Sequence, residues 1–213
     1  MNYLICALIG YVLGSIPSAY IIVKKFQNKD ITRHGSGNAG ALNSFEVTGS
    51  KLAGVSVLLS DFTKGALTVL LIKYFISDSY LFIATGAISA VFAHCYTPWL
   101  KFRGGRGLAT AAGSFLFVIP IVALLWMVLW LVAFLLRKDV HTGNIFATLF
   151  TPLITFVIPE FVSKINFTTQ ELNPPFFTIS VSVLMMIIFS RHIEPFKVVL
   201  RNELYNRRKN ETG

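Results

Sequence analysis

The sequence predicts an all-α integral membrane protein with about seven transmembrane helices, its N-terminus outside the cell and its C-terminus in the cytoplasm. Of the 213 residues, 54% are hydrophobic and only 14% are charged, whereas soluble domains carry about 25% charged residues. The apolar residues also lie in long uncharged runs and not in amphipathic stripes. These observations exclude an ordinary soluble domain, a disordered chain and a disulfide scaffold.

The predicted helices follow from the length of these apolar runs, because a spanning helix needs about 20 mostly apolar residues. Six stretches meet or approach that length: residues 2–23, 53–77, 80–96, 107–136, 142–162 and 176–190. The first lacks a basic leader, so we expect a transmembrane helix and not a cleaved signal peptide. We expect residues 1–200 to form one membrane domain and residues 201–213 a polar cytoplasmic tail.

The stretch 107–136 decides the number of helices, since it contains no charged residue and no histidine. One helix of this length would run about 45 Å, against about 30 Å of hydrocarbon. It is either one tilted helix or two short helices that turn near Gly113–Pro120. Two helices place most Lys and Arg residues on the cytoplasmic side, whereas one helix divides them evenly. The positive-inside rule therefore favours seven helices.

The formal net charge of +9 comes from 19 Lys and Arg against 10 Asp and Glu. The basic residues cluster between apolar stretches, which indicates membrane topology and not nucleic-acid binding. Cys6 and Cys95 both lie in apolar runs, so no disulfide is expected. The four histidines are scattered and form no HExxH motif, and we expect neither a metal nor another cofactor.

The first unusual polar segment contains Ser36-Gly-Asn-Ala-Gly40. Glycines allow close backbone approach, and successive free N–H groups can form an anion-binding nest. Ser36 and Asn38 add side-chain donors, so Gly37 and Gly40 in this setting are compatible with a phosphate site. Taken alone, however, this segment favours a flexible loop with glycine turns.

The second segment reads Arg103-Gly-Gly-Arg-Gly107 and directly precedes an uncharged run. A helix that begins near Gly107 would direct its N-terminal N–H groups at this loop. Arg103 and Arg106 supply guanidinium groups whose geometry matches phosphate. We favour phosphate binding over the alternative, a basic membrane anchor, because an anchor would not need Gly104 and Gly105.

Other polar residues border or interrupt the apolar stretches. Asp61 and Lys64 share a helix face and can pair there, either as a structural ion pair or in the lining of a site. His94 and His192 are either packing residues at helix ends or functional groups. With seven helices, the segments around Ser36, Arg106 and His192 all face the cytoplasm, so we expect them to converge on one site.

These motifs occur in an order that resembles the bacterial integral-membrane acyl-phosphate:glycerol-3-phosphate acyltransferase family (PlsY). The resemblance covers residues 2 to about 200. It is carried by Gly14-Ser-Ile-Pro-Ser-Ala-Tyr20, Gly35-Ser-Gly-Asn-Ala-Gly-Ala-Leu-Asn43, Asp61-Phe-Thr-Lys-Gly65 and Lys101-Phe-Arg-Gly-Gly-Arg-Gly-Leu-Ala-Thr110.

The resemblance implies transfer of an acyl group from acyl phosphate to the sn-1 hydroxyl of glycerol 3-phosphate, which gives lysophosphatidic acid and phosphate. It implies catalytic roles for Ser36, Arg106 and His192, with either His192 or a substrate phosphate oxygen as the proton acceptor. The residues expected to bind substrate are Gly37, Asn38, Gly40, Asn43, His94, Arg103, Gly104, Gly105 and Gly107. The expected location is a bacterial cell membrane, with the site on the cytoplasmic side. No nucleic-acid partner is expected, and the sequence does not predict the oligomeric state.

The sequence departs from the family pattern at several motif positions. Glu46 stands where the family has Arg, Pro195 where it has Asn and Val198 where it has Arg. Leu42 replaces a Thr, and Arg106 replaces a Lys. Alternatives to the acyltransferase are therefore a divergent paralogue with another acceptor or donor and a non-catalytic lipid-binding protein. A transporter is a further alternative, for which the ion pair of the second apolar stretch is the only support.

Overall fold

The computed structural model describes residues 1–167 and 172–212, except for the side chains of residues 163, 202, 203 and 205–212. All regular elements in these ranges are helical, as the composition predicts. The α-helices are α1 (Asn2–Ser15), α2 (Ser18–Gln27), α3 (Ala41–Thr48), α4 (Lys51–Phe75), α5 (Tyr80–Cys95), α6 (Leu108–Leu116), α7 (Pro120–Arg137), α8 (Val140–Val157), α9 (Pro159–Ser163), α10 (Pro174–Ser190) and α11 (Ile193–Thr212). Short 3-10 turns lie at Ile31–Arg33 and Pro98–Leu100.

Five helical segments of the described chain are long and apolar enough to cross a membrane. They are Asn2–Gln27, Lys51–Phe75, Tyr80–Leu100, Pro120–Arg137 and Val140–Val157. A sixth candidate is the pair Pro174–Ser190 and Ile193–Arg201, which is bent by 65°. The chain is thus an all-helical membrane protein with five to six candidate spans, fewer than the seven expected.

The missing full-length span is explained by the stretch 107–136, which breaks into two helices as the charge distribution favoured. α6 has only nine residues, or about 14 Å of helix, less than half of the hydrocarbon thickness. The helix ends at Leu116, and Pro120 then occupies the first turn of α7, where proline is tolerated.

α1 and α5 cross at very short distance. A Cβ atom at Gly10 or Gly14 would overlap the backbone of α5 at Gly86 and Ala90. Such pairs of small residues four positions apart let membrane helices approach each other. The Ser89 hydroxyl also donates to the carbonyl of Ala7 at 2.7 Å. This contact fixes α5, whose C-terminal end carries part of the site.

The interior is apolar, and so is much of the exterior. The fully buried side chains include Ile72, Ile83, Val122, Phe177 and Ile188. By contrast, α7 buries only Val122 and Ala133. An apolar outer surface of this kind is suited to lipid, where hydrocarbon replaces water around the helices.

The two ends of the bundle are distinguished by long-range contacts. Lys73 at the end of α4 lies 3.5 Å from Asp78 and hydrogen-bonds the carbonyl of Phe167. The N–H of Phe167 donates to the carbonyl of Val118 at 2.8 Å. The α6–α7 connection therefore lies at this end, which we call the opposite end. The polar loops before α3 and before α6 define the other, or site, end.

Candidate active site

The first glycine-rich segment lies in loop one (residues 28–40) and is organised by the side chain of Asn43. This buried side chain donates through Nδ2 to the carbonyls of Asn38 at 2.9 Å and His34 at 3.1 Å. Its Oδ1 accepts the N–H of Ser36 at 2.9 Å. Asn43 is thus engaged by its own loop and acts as a scaffold for it.

The main-chain N–H groups of loop one are also used within the loop. Gly37 donates to the carbonyl of His34 and Gly40 to the carbonyl of Asn38, each at 3.0 Å. The N–H of Asn38 faces the Ser36 hydroxyl at 3.5 Å. The structure therefore does not contain the row of free N–H groups that the sequence predicts. Ser36 is exposed, and it is the loop-one residue that lines the polar cleft described below.

The second segment forms loop two (residues 101–107), whose paired glycines pack against the end of α5. Gly104 donates to the carbonyl of Cys95 and Gly105 to the carbonyl of His94, each at 3.1 Å. A Cβ atom on Gly104 would overlap the His94 carbonyl, and one on Gly105 would overlap the His94 ring. Packing against the end of α5 therefore requires glycine at both positions, a reason that the sequence argument did not consider, and phosphate binding by this segment stays a prediction.

Arg191, which the sequence analysis did not select, holds the other side of the same glycines. Its Nη2 donates to the carbonyl of Gly104 at 3.0 Å and its Nε to that of Gly105 at 3.2 Å. The guanidinium carbon also lies 5.4 Å from the ring centroid of Tyr96, a cation–π contact. Arg191 directly precedes His192, so it fixes loop two against the α10–α11 joint.

His94 supports loop two from inside the bundle. Its Nδ1 lies 3.6 Å from Oδ1 of Asp61, and Lys64 Nζ lies 2.9 Å from the same oxygen. Lys64 also donates to the carbonyl of Ile16 at 3.0 Å. The predicted Asp61–Lys64 pair is confirmed: the two buried charges balance each other, and the hydrogen bond to Ile16 further holds Lys64. His94 lies between this pair and Gly105, and it does not line the polar cleft described below.

The two arginines of loop two differ in environment. Arg106 is half-buried, and its Nη1 lies 3.1 Å from Nδ1 of His141. Burial lowers the pKa of the Arg106 guanidinium, repulsion by Arg191 adds to the shift, and attraction to Glu46 opposes it. Arg103 is exposed and lies outside the polar cleft.

His192 lies at the joint between α10 and α11 and is fully buried. Its Nδ1 is 2.9 Å from the carbonyl oxygen of Ile188. Because a carbonyl can only accept, Nδ1 carries a proton, and Nε2 of the neutral ring is an acceptor. Nε2 has no hydrogen-bond partner among the described residues. A buried acceptor of this kind is unusual in a folded protein and fits the role of a proton acceptor.

A cleft of about 590 Å³ at the site end brings the three polar segments together, as the sequence predicts. Its lining residues are Ser36, Arg106, Arg137, Asp139, His141, Thr142, Glu194, Pro195, Val198 and Val199. The turn between α7 and α8 was missed in the sequence, although Asp139-Val-His-Thr142 is a helix-capping pattern. No group of three or more potential metal ligands occurs in the part of the chain that the structure describes.

A second, apolar cavity of about 510 Å³ lies between α4, α6, α7 and α10. Its wall includes Leu108 and Ile188. Leu108 follows Arg106 by two residues, and the carbonyl of Ile188 contacts His192. The polar cleft and the apolar cavity therefore both lie near the start of α6, where Arg106 lines the cleft and Leu108 lines the cavity. This helix begins after Gly107, as the sequence predicts.

Comparisons with known proteins identify the family of this chain. The family model described as "Glycerol-3-phosphate acyltransferase" matches residues 4–202. A glycerol-3-phosphate acyltransferase of Pelagibacter ubique is 37% identical over 95% of this chain and 96% of its own length. Glycerol-3-phosphate acyltransferase 1 of Dehalococcoides mccartyi is 38% identical over 73% of each chain.

Solved structures give the same result. The crystal structure of PlsY (YgiH), an integral membrane glycerol 3-phosphate acyltransferase, in its glycerol 3-phosphate form matches with a TM-score of 0.75. Its identity is 32%, over 95% of this chain and 94% of that one. Its lysophosphatidic acid form matches equally well, over 95% and 93%.

The fold, the paired cavities and these matches define the class as a membrane acyltransferase. The chain belongs to the glycerol-3-phosphate acyltransferase family, and the family predicted from the motifs is confirmed.

Proposed function

We propose that the protein transfers an acyl chain from acyl phosphate to the sn-1 hydroxyl of glycerol 3-phosphate, which yields lysophosphatidic acid and phosphate. The observation that carries this proposal is the proximity of a polar cleft and an apolar cavity at the start of α6, where Arg106 lines the cleft and Leu108 lines the cavity. Acyl phosphate has a hydrocarbon chain and a phosphate group, so it needs both an apolar cavity and a polar cleft. Its reactive carbonyl must lie between them.

The cleft supplies cations and donors for two phosphates. Arg106 and Arg137 line it together with Ser36, and guanidinium groups suit phosphate oxygens. We assign Arg106 and Ser36 to substrate binding and to stabilisation of the developing oxyanion. Asn43 and Gly104 hold the loops that carry these side chains.

The reaction needs no covalent enzyme intermediate, because acyl phosphate is a mixed anhydride with a good leaving group. The hydroxyl oxygen of the acceptor bonds to the acyl carbon, and the bond from that carbon to the phosphate oxygen breaks. Phosphate leaves with the electron pair. The hydroxyl proton goes either to Nε2 of His192 or to a phosphate oxygen of the substrate. His192 is buried behind the cleft, so the first route requires the α10–α11 joint to open.

The proposed topology has the N-terminus outside and the C-terminus inside, at a bacterial cell membrane. The site end carries most of the basic residues, among them Lys24, Lys25, Lys29, Arg33, Lys101, Arg103, Arg106, Arg137 and Lys138. A cytoplasmic location of this end follows the positive-inside rule. The contact of Phe167 with Val118 at the opposite end supports a seventh, partly helical crossing through α6 and residues 117–119.

The test of this function is acyl transfer by the purified protein in micelles or lipidic mesophase. Palmitoyl phosphate is supplied with and without glycerol 3-phosphate, and products are identified by mass spectrometry. We expect phosphate release that depends on the acceptor, with lysophosphatidic acid as the product. Release without acceptor dependence, in folded protein, would contradict the proposal, and acylation of other acceptors alone would indicate a different substrate.

Arg106→Ala should lower the transfer rate by about 10²- to 10³-fold, because it removes a cation from the reacting phosphate. The matched control is Arg33→Ala, since Arg33 lies at the same end but its side chain is 81% exposed. Arg103→Ala should have a smaller effect than Arg106→Ala, because Arg103 lies outside the cleft. Equal rates for Arg106→Ala and wild type would refute the assignment of the site.

A further inference from the structure

The contact between Arg106 and His141 fixes the protonation state of the histidine. Arg106 Nη1 lies 3.1 Å from His141 Nδ1. A guanidinium group has only donors and keeps its charge at all accessible pH values. Nδ1 of His141 must therefore be the acceptor, and the proton of the neutral ring must lie on Nε2.

The backbone that carries the His141 side chain is fixed by the cap of α8. Asp139 Oδ2 accepts the N–H of Thr142 at 2.6 Å and its hydroxyl at 2.7 Å. The Asp139 carbonyl also accepts the N–H of Gly143 at 3.1 Å. Asx caps of this type fix the first turn of a helix, and His141 is the second residue of that turn. The acceptor is thus held in place before substrate arrives.

The electrostatic surroundings of His141 are mixed. The charged and titratable groups near it are Arg106, Asp139, Glu46, His192, Arg137 and Glu194. Glu46 is an anion close to Arg106. A free guanidinium would be drawn towards this exposed carboxylate, whereas the bond to His141 holds it beside Ser36 in the cleft wall.

We propose that His141 is a positioning residue for acyl transfer, a role that rests on the proposed function. Its neutral imidazole accepts a hydrogen bond from Arg106 and directs the remaining guanidinium N–H groups at the phosphate of the acceptor. Protonation of His141 replaces the acceptor by a donor and adds a positive charge, so the bond to Arg106 is lost. Affinity for glycerol 3-phosphate therefore falls on acidification.

The kinetic test compares three variants whose side chains place different groups at the position of Nδ1. His141→Asn offers an amide oxygen near that position and does not titrate. His141→Gln reaches the position of Nε2 instead, and His141→Ala offers no acceptor. We expect the KM for glycerol 3-phosphate to rise about tenfold in His141→Ala and His141→Gln, the size expected for a hydrogen bond to a charged group. His141→Asn should stay within about threefold of wild type.

The pH dependence of the KM between about pH 5 and 8 distinguishes a positioning role of His141 from a general loss of structure. The KM of the wild type should increase more on acidification than that of His141→Asn, because only the wild type loses the acceptor. Equal KM values for His141→Ala and wild type would overturn the proposal, and so would equal impairment of His141→Asn and His141→Gln. If His141→Ala does not fold, the difference in KM between His141→Asn and His141→Gln tests the proposal.

The ¹⁵N NMR spectrum of labelled histidine provides a readout that does not depend on activity. In the wild type we expect His141 as the tautomer with its proton on Nε2, and in Arg106→Ala a mixture of tautomers. A proton on Nδ1 in the wild type would overturn the proposal. If the wild type makes no lysophosphatidic acid, the proposed function fails, and this spectrum still decides whether the contact exists.

Discussion

Loops one and two both carry glycine-rich motifs, yet the fold holds them by opposite means. In loop one, a single local side chain, Asn43, binds the carbonyls and one N–H of the segment just before it. In loop two, distant groups hold the backbone. The end of α5 binds the N–H groups of Gly104 and Gly105, and Arg191 binds their carbonyls.

The difference shows how a site can offer few ligands and still depend on many polar residues. Two residues that the motif suggests as ligands do not line the cleft: Asn43 hydrogen-bonds the backbone of loop one, and the His94 ring lies beside Asp61. The side chains that reach the cleft are Ser36 from loop one and Arg106 from loop two. Buried polar groups are generally hydrogen-bonded, so polar groups around each loop hold its shape, local ones in loop one and distant ones in loop two.

The largest effect should come from Gly104→Ala, because its Cβ would overlap the backbone carbonyls at the end of α5. Backbone cannot move aside as a flexible side chain does, so we expect destabilisation of about 3 kcal/mol or more and loss of activity. The measurement is the unfolding temperature in detergent, followed by the transfer assay. Gly49→Ala is the control, since its φ is +66° but nothing lies near its Cβ. It should cost only about 1 kcal/mol. Equal losses of stability in Gly104→Ala and Gly49→Ala would contradict the packing argument.

Asn43→Asp should have the next largest effect, because it keeps the acceptor for Ser36 but places a carboxylate against the carbonyls of His34 and Asn38. We expect a loss of about 2–3 kcal/mol in stability, measured as the unfolding temperature with and without glycerol 3-phosphate. A ligand role for Asn43 predicts instead normal stability of the free protein and weaker substrate binding. Asn38→Asp, in the same loop but half-buried, should have a smaller effect on stability.

Arg191→Lys should have the smallest effect on folding but a measurable one on catalysis. Lysine keeps the charge but cannot donate to both glycine carbonyls in the fork geometry of arginine. We expect about 1 kcal/mol of lost stability and about a tenfold decrease in kcat/KM, measured in the transfer assay. The control is Arg33→Lys, whose exposed ion pair with Asp30 contributes little. An unchanged kcat/KM for Arg191→Lys would mean that loop two is held by α5 alone.

The sequence predicted those features of the fold that depend on local composition. The apolar stretches, the start of α6 after Gly107 and the Asp61–Lys64 pair follow from the composition or spacing within one segment, whereas the break before Pro120 was favoured by the charge distribution along the whole chain. The structure has five to six candidate spans by length and composition, because the break leaves α6 with only nine residues. The family was also identifiable, because its motifs are short and contiguous.

By itself, the sequence determined the membrane class, the family and the convergence of three polar segments. Only the tertiary structure decided which polar groups are hydrogen-bonded within the protein and which face the cleft. Arg106 meets His141 across 35 residues, and Arg191 meets Gly105 across 86. Such contacts depend on how helices pack, since no periodicity within either segment encodes the other. Asn43 and the paired glycines hydrogen-bond backbone groups for the same reason. Each buried N–H and carbonyl needs a hydrogen-bond partner, and the packed helices determine which partner is near.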